Sequence, residues 1–480
     1  MELAAKTCIM STCTDPLPIS KYRKELHSNS MRRASDFLYV RLYKTLKEQI
    51  LTGLIKPGEY LLPENDLCKF YGLSRNSVRK ALEELHKEGL VVKKVGLGTM
   101  VPADVSIPSD DRKILRIAAP FPAYFVDNGL HVICDAFRQK YPHVDLHVLS
   151  LPSDTFNESL RQTDRMGFCP DVVLIGESQL SNMEKRDAFI DLAPVVGDML
   201  DAVYPKLRDT FCPEHPITAM PITFSPVSLV YNPDLFRAAG IPYPGPRWNV
   251  DDFTDAAERV TSISDGRIDR FGFSLYPSLN RWLVFALQNG MRPDDKDHRP
   301  KIAEALDRLQ DWLHRKRIAT VYTDSKNLIN PFIYGKSAMT LTTLFEMSTW
   351  AERGIDFTPE IAPLPFGDTK STLMQANLLM VPAACADPHL SSEFVRMALQ
   401  ADVQRTLCEN TPFLSVMGTV NDAARTPAYM HAINIGGGLI DRNYFLHELL
   451  GHQVDHTDLM AEMSLFWLGL EDARTIAEHF

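Results

Sequence analysis

Five of six successive residues carry the first chemistry in this chain. Ser74, Arg75, Asn76, Ser77 and Arg79 have side chains suited to reading nucleic-acid edges. A guanidinium can hold guanine O6 and N7 together, and a carboxamide can do the same with adenine N6 and N7. Ser74 suits the N-cap of a helix, whose free backbone N–H groups can donate to a phosphate. Lys93 and Lys94, followed by a Gly96-x-Gly98 tip and Thr99, make a second basic element that can lie along a DNA backbone or minor groove.

A histidine cluster invites a metal. His447-Glu448 is followed by His452, one residue too far for the zinc-protease spacing. Five residues turn a helix by about 500°, so the two imidazoles diverge. His452 and His456 stand at i,i+4, but Gln453 occupies the place of a catalytic Glu. The expectation is a solvated helix face and no metal. There is no G-x-S-x-G, no G-x-x-x-x-G-K-[ST], and no G-x-G-x-x-G after a strand. No catalytic residue and no cofactor are expected. The cysteines, Cys8, Cys13, Cys68, Cys134, Cys169, Cys212, Cys385 and Cys408, form no C-x-x-C pair and read as reduced thiols.

The elements that must position these residues follow from length and pattern. A chain of 480 residues holds two to four domains of roughly 100–200 residues each. With 45% hydrophobic and 23% charged residues, disorder throughout is excluded. No run of about 18 apolar residues is present, and the first stretch, MELAAKTCIMSTCTD, lacks a basic n-region and apolar h-region. The expected compartment is the cytoplasm, with no membrane partner. Residues 1–103 contain 17 Lys and Arg against 11 Asp and Glu, while the whole chain carries a net charge of −10. A basic head on an acidic body suggests that the head alone meets a polyanion.

Residues 1–35 read as a flexible basic arm, with Met31 as an alternative first residue. From there to residue 103 the pattern is local and clear. Leu38, Leu42, Leu46 and Ile50 make one helical stripe. Pro63 can open a second helix with Leu67 and Phe70 inward, and Gly72 ends it. Ser74 caps a third helix with core stripe Val78, Leu82 and Leu85, stopped by Gly89. LVVKKVGLGTMVP then reads as a hairpin.

LTGLIKPGEYL, YGLSRNSVRKALEELHKEGLVVKKVGLGTMV and their spacing resemble the DNA-binding domain of the GntR family of bacterial regulators over about residues 38–102. The resemblance implies an α+β winged helix-turn-helix in residues 36–103, a double-stranded DNA operator and a homodimer. The family opens its second helix with Pro-Ser-Glu-Arg; here Leu62, Pro63, Glu64 and Asn65 stand there. Glu64 and Asn65 thereby join the expected DNA-binding set, with an altered operator preference where Asn replaces Arg. Asn76-Ser77 replaces the usual Thr-Thr.

After a linker at residues 104–112, strands and helices alternate over 113–480, which argues an α/β body. RKILRIAAPF is a strand, HVICDAFRQKYPHVDLHVLSL a helix and strand, and CPDVVLIGE a buried strand of a parallel sheet. LSSEFVRMALQADVQRTLCEN reads as one helical piece. Tyr231-Asn232 with Leu235-Phe236, the Ala239-Gly240-Ile241-Pro242 turn, Trp248, Gly335-Lys336 before Ala338-Met339, Gln404 and the tail FWLGLEDARTIAEHF resemble the family 1, maltose-binding-like solute-binding proteins of sugar transporters. The tail looks like that family's C-terminal helix. This resemblance implies a multidomain chain whose body is a two-lobed, type II periplasmic-binding-protein-like α/β sensor holding a small-molecule effector, a sugar, between its lobes.

Ligands of such sheets sit at the carboxyl ends of strands. That rule selects Phe121, Tyr124, Glu177, Ser178, Phe224, Ser225, Phe345 and Glu346, with Gln375 and Asn377 placed before a later strand and Trp282 at a helix start in the second lobe. Trp248, after a Pro-Gly-Pro turn, reads as structural. The expected function is a sequence-specific transcription regulator whose effector modulates operator binding. One alternative is a sugar-binding protein with a non-regulatory head. Another is a pyridoxal-phosphate-dependent, aminotransferase-like body; it lacks a Ser-x-x-Lys segment, and the solute-binding pattern accounts for Lys336.

Overall fold

The computed structural model describes residues 39–40, 42–47, 49–51, 55–71, 73–94, 98–105, 113–165, 169–213, 215–322, 330–450 and 456–480. Residues 1–38, Gly72, Gly96 and His452, each part of a reading above, lie outside them. The chain divides into two compact units, Met1–Pro108 and Ser109–Phe480.

In the first unit, helical residues 42–47 and 49–51 bury Leu42, Leu46 and Ile50. Helix α1 (Glu64–Tyr71) contributes Leu67, and Gln49 Nε2 donates to Tyr71 Oη at 3.0 Å. Helix α2 (Arg75–Lys87) buries Val78, Leu82 and Leu85. It ends in a left-handed Gly89 (φ +74°), with Leu90 N–H reaching back to Leu85 O at 3.0 Å. Glycine bears that φ without a Cβ penalty, so the helix stops there. Strands β1 (Val92–Lys94) and β2 (Gly98–Met100) pair antiparallel, with Lys93 opposite Thr99.

The second unit is built on one long mixed sheet. Its strands are β3 (Lys113–Phe121), β4 (Val144–Pro152), β5 (Val172–Gly176), β6 (Met220–Tyr231), β7 (Ser262–Ser264), β8 (Arg267–Leu275), β9 (Ala319–Val321), β10 (Ser337–Thr343), β11 (Glu360–Ala362), β12 (Leu373–Met380) and β13 (Tyr444–Phe445). The order is β4-β3-β5-β12-β6-β10-β8-β7, with β11 on β6, β13 on β12 and β9 on β8. In the first lobe β3 pairs parallel with β4 and β5. In the second, β8 pairs parallel with β9 and β10.

Strand β6 belongs to both lobes. Met220–Pro226 pairs with β12, and Val227–Tyr231 pairs with β10. All twelve of its residues are buried. Pro226 stands where the partner changes, and Pro221 sits opposite Leu378 at a register shift, so the donors this strand lacks fall at the crossing and at an irregularity of the ladder. There Ser225 Oγ accepts from Leu344 N–H at 2.8 Å, a local tie between the crossing strand and the end of β10.

Two helical readings need correction. Residues 388–410 form two helices, Pro388–Ala398 and Ala401–Asn410, because Gln400 is extended (ψ 137°). Buried Gln404 pins the second one: Nε2 donates to Ile222 O at 3.0 Å, and Oε1 accepts from Ser415 Oγ at 2.7 Å. The tail is likewise two helices, His456–Trp467 and Ala473–Ala477, separated at left-handed Gly469.

Candidate DNA-reading face and ligand cleft

On the first unit, Ser74 Oγ accepts from Ser77 N–H at 3.2 Å, so the first turn of α2 is capped by its own sequence. Arg75, Asn76 and Arg79 are exposed on that turn. Ser77 is not available to a base: it is buried, with its Oγ 2.9 Å from Ser74 Oγ. Three residues after the cap, the hydroxyl turns back toward the cap and away from the outward face. Glu64 links the two arginines. Its Oε2 accepts from Arg79 Nε at 2.9 Å and lies 3.7 Å from Arg75 Nε. Asn65 is exposed beside it, and Lys93, Lys94 and Gly98 are exposed on the wing, with Thr99 half-buried.

In the second unit, the carboxyl ends of the parallel strands of both lobes lead into short helices. From the first lobe, β3 leads to α3 (Tyr124–Asn128), and β5 leads to α4 (Glu177–Ser181). From the second, β8 leads to α5 (Leu279–Gln288), β9 to Tyr322, and β10 to α6 (Leu344–Met347). Two links join the lobes here. Asn128 Nδ2 donates to Ser348 Oγ at 3.1 Å. Phe413 sits between Phe125 and Phe345, with ring centroids 5.3 and 5.5 Å away. Gly129 permits this packing, since a Cβ there would lie 2.5 Å from Phe125 and 2.8 Å from Phe413.

The second lobe's side carries a buried polar knot on Glu346. Its carboxylate accepts from Thr342 Oγ1 at 2.8 Å, Asn330 Nδ2 at 2.9 Å and Tyr322 Oη at 3.4 Å. Arg281 Nη2 lies 3.7 Å away, and both side chains are only 7% exposed. Burial, and then the Glu346 charge, pushes the Tyr322 phenol up, so it stays a donor. On the first lobe's side Glu177 is buried at the start of α4, and desolvation raises its carboxyl to about 7 against the backbone N–H donors around it. Glu177 Oε1, Asn377 Nδ2, Asn280 Oδ1 and Arg281 Nε are buried with no hydrogen-bond partner within the protein. Such groups are rare and cost about 1–3 kcal/mol each. Their gathering at the strand ends of both lobes suits a polar ligand.

The other expected ligand residues divide. Tyr124 and Phe121 are half-buried at the end of β3, and Ser178 is exposed on α4. Gln375 and Asn377 lie within β12, not before it, and Asn377 is held between Gly176 and Thr223. Phe345 is buried in the aromatic link. Three assignments need correction. Phe224 is fully buried against Tyr204 (5.6 Å), and Ser225 is spent on the strand crossing. Trp282 is fully enclosed in the second lobe's core, edge-on to Phe480 at 5.8 Å. Its neighbour Arg281 takes the polar position instead. Asn128, Tyr322, Arg281, Asn330, Ser348 and Phe413 were not selected from sequence. A lone arginine in the apolar run LNRWLVFALQ is the one signal that pointed to any of them. Lys336 is exposed before β10, at the strand's other end.

These features define a two-lobed binding protein with a winged helix-turn-helix head. The chain belongs to the bacterial extracellular solute-binding proteins, whose family model matches residues 133–432, and residues 38–101 match the model of the gntR family of bacterial regulatory proteins. Among curated relatives, the HTH-type transcriptional regulator GgaR of Escherichia coli is 38% identical over 64 residues, 13% of this chain and 26% of that protein. The arabinose metabolism transcriptional repressor of Halalkalibacterium halodurans is 46% identical over 54 residues, 11% of this chain and 14% of that one. The chain thus spans about a quarter or less of the length of these two relatives. Similar solved structures include an ABC substrate-binding protein of Listeria monocytogenes in complex with cycloalternan (TM-score 0.63, 16% identity, 77% of this chain and 97% of that one). Another is the maltose/maltodextrin-binding domain MalE of Bdellovibrio bacteriovorus bound to maltotriose (TM-score 0.62, 13% identity, 76% and 97%). No helix of the described residues is long and apolar enough to cross a membrane.

Proposed function

We propose that this protein is a sequence-specific DNA-binding transcription regulator whose two-lobed body senses a carbohydrate and thereby modulates operator binding. The observation that carries the reading is the union, in one chain, of an outward arginine pair on a capped recognition helix with a cleft of partnerless buried polar groups. Hydroxyls of a sugar can donate to Glu177 Oε1 and Asn280 Oδ1 and accept from Asn377 Nδ2 and Arg281 Nε. The relatives support the class: cycloalternan, maltotriose and arabinose metabolism all concern carbohydrates. The reading is of a cytoplasmic binding protein, not an enzyme, acting as a homodimer on pseudo-palindromic half-sites.

The lobes close on the effector, and closure alters the heads' freedom to engage both half-sites. An effector shifts this balance only through its different affinity for the open and closed states. A fivefold change in operator affinity, about 1 kcal/mol, is the least that counts as coupling. The test is sequencing of genomic fragments retained by the purified chain at physiological salt, with and without a mixed sugar pool. Enrichment of one palindromic site, altered at least fivefold by sugar, is expected. Retention without sequence preference would leave a sugar-binding protein with a non-regulatory head.

A further inference from the structure

We propose that the second lobe holds a second small-molecule site, away from the cleft, built for a neutral polyhydroxylated compound such as a monosaccharide or disaccharide. A cavity of about 470 Å³ opens at the carboxyl end of α5, between the turn at residues 246–250 and the loop at residues 365–370. On helix α5 Gln288 stands seven residues beyond Arg281, so this end lies roughly 10 Å along the helix from the turn that carries Arg281 to the cleft. The volume falls within the usual range of small-ligand pockets.

The walls are set before any ligand arrives. Arg308 Nη1 donates to Phe366 O at 2.9 Å, and Lys301 Nζ donates to Asn289 O at 2.7 Å. Gly367 lets the loop close on the helix end, because a Cβ there would lie 2.2 Å from Gln288 O. Trp248, half-buried against Phe236 at 6.0 Å, lines the cavity and offers an aromatic surface for a sugar face.

Two orphan polar atoms define the ligand class. Gln288 is buried, and its Nε2 is spent on Ser371 O at 2.7 Å, which leaves Oε1 as an acceptor without a partner. Next to it, Asn289 Nδ2 is a buried donor without a partner. A hydroxyl can donate to the first and accept from the second. A phosphate or carboxylate could satisfy Asn289 but would turn lone pairs toward Gln288 Oε1. The lining carries Arg247, Arg308 and Lys370 against Glu304 and Asp368, so neither charge sign rules it. A neutral polyol therefore fits better than an anion.

The test uses the full chain with glucose, arabinose, maltose and inorganic phosphate as probes, followed by saturation-transfer NMR and calorimetry. Asn377→Leu reports on the cleft, while Trp248→Ala and Asn289→Leu report on the cavity; retained circular dichroism in each variant checks folding. At least one sugar is expected to bind the Asn377→Leu protein and to lose tenfold or more in affinity when either cavity substitution is added. The proposal falls if no sugar binds the Asn377→Leu protein, or if binding is indifferent to both cavity substitutions. It also falls if phosphate binds there and excludes the sugars.

Discussion

The head turns the charges of its candidate site outward, and the body turns those of its own inward. Arg75 and Arg79 are 60% and 52% exposed, whereas Arg281 and Glu346 are each 7% exposed. The difference follows from what each region must bind. A DNA duplex is larger than the head and brings its own charge, so contacts made from exposed side chains suffice and stay sensitive to salt. A small solute is recognised only where water is excluded, so the groups that meet it must be buried and held in place beforehand. Outward charge costs the fold little; inward charge costs a great deal unless compensated. Mutations should therefore act on opposite properties in the two regions.

The largest expected effect is on the body. Arg281→Leu strips the buried Glu346 of its cation, and breaking such a pair costs about 3–5 kcal/mol. Urea denaturation of the full chain measures it, and Arg281→Leu with Glu346→Leu should recover most of the loss. A single-variant cost below about 1 kcal/mol would show that the inward pair is not buried in the sense argued.

Next comes pH. Glu177 has a folded value of about 7 against an ordinary 4.5, so the fold favours its protonated form. The stability this gives is complete below about pH 4.5 and is lost as pH rises through 7, a difference of about 3 kcal/mol. Glu177→Gln keeps the neutral shape and should flatten that part of the pH profile, gaining on the parent chain at pH 8. Parallel profiles for the two proteins would refute the raised carboxyl.

How much of this could be read from sequence differs between the regions for the same physical reason. The head's elements are local: Ser74 caps its own helix, and Val78, Leu82 and Leu85 follow helical spacing, so both were legible. Only Ser77 misled, because exposure at the first turn depends on a hydroxyl pairing with the cap. Two of the body's strands, β3 and β5, were also legible, since each is a largely apolar run. The body's cleft was not. Helix α5 is apolar on almost every face, so periodicity could not say whether Arg281 or Trp282 looks toward the strand ends. Every residue of β6 is buried, so alternation could not separate Phe224 from a ligand contact. Asn128 meets Ser348 across 220 residues, and no local pattern encodes that.

On the head, effects should fall on binding and not on folding. Arg75→Ala should cost about 1–3 kcal/mol of operator affinity and relax preference at one base position. Lys93→Ala should weaken all sequences alike and lower the salt slope by about one. Titrations on matched operator variants at several salt concentrations separate the two. A uniform loss for Arg75→Ala would remove it from base reading and leave the outward face a purely electrostatic one.

Ser74 is the point where the head's binding chemistry and its stability meet, so it gives the smallest and sharpest test. Its Oγ accepts the Ser77 N–H and pairs with the Ser77 hydroxyl. Ser74→Ala removes the cap and leaves a first-turn donor unpaired, for about 1 kcal/mol of local stability. Hydrogen exchange of the α2 amides in the full chain should rise about fivefold, while the body's amides stay unchanged. Ser74→Asp restores the cap acceptor but brings a carboxylate to the helix end that would otherwise receive a phosphate. It should recover the exchange protection and still bind DNA more weakly than Ser74→Ala. If Ser74→Asp bound DNA as well as the parent chain, the α2 amino end would not face the phosphates, and the outward face would have to be moved to the wing.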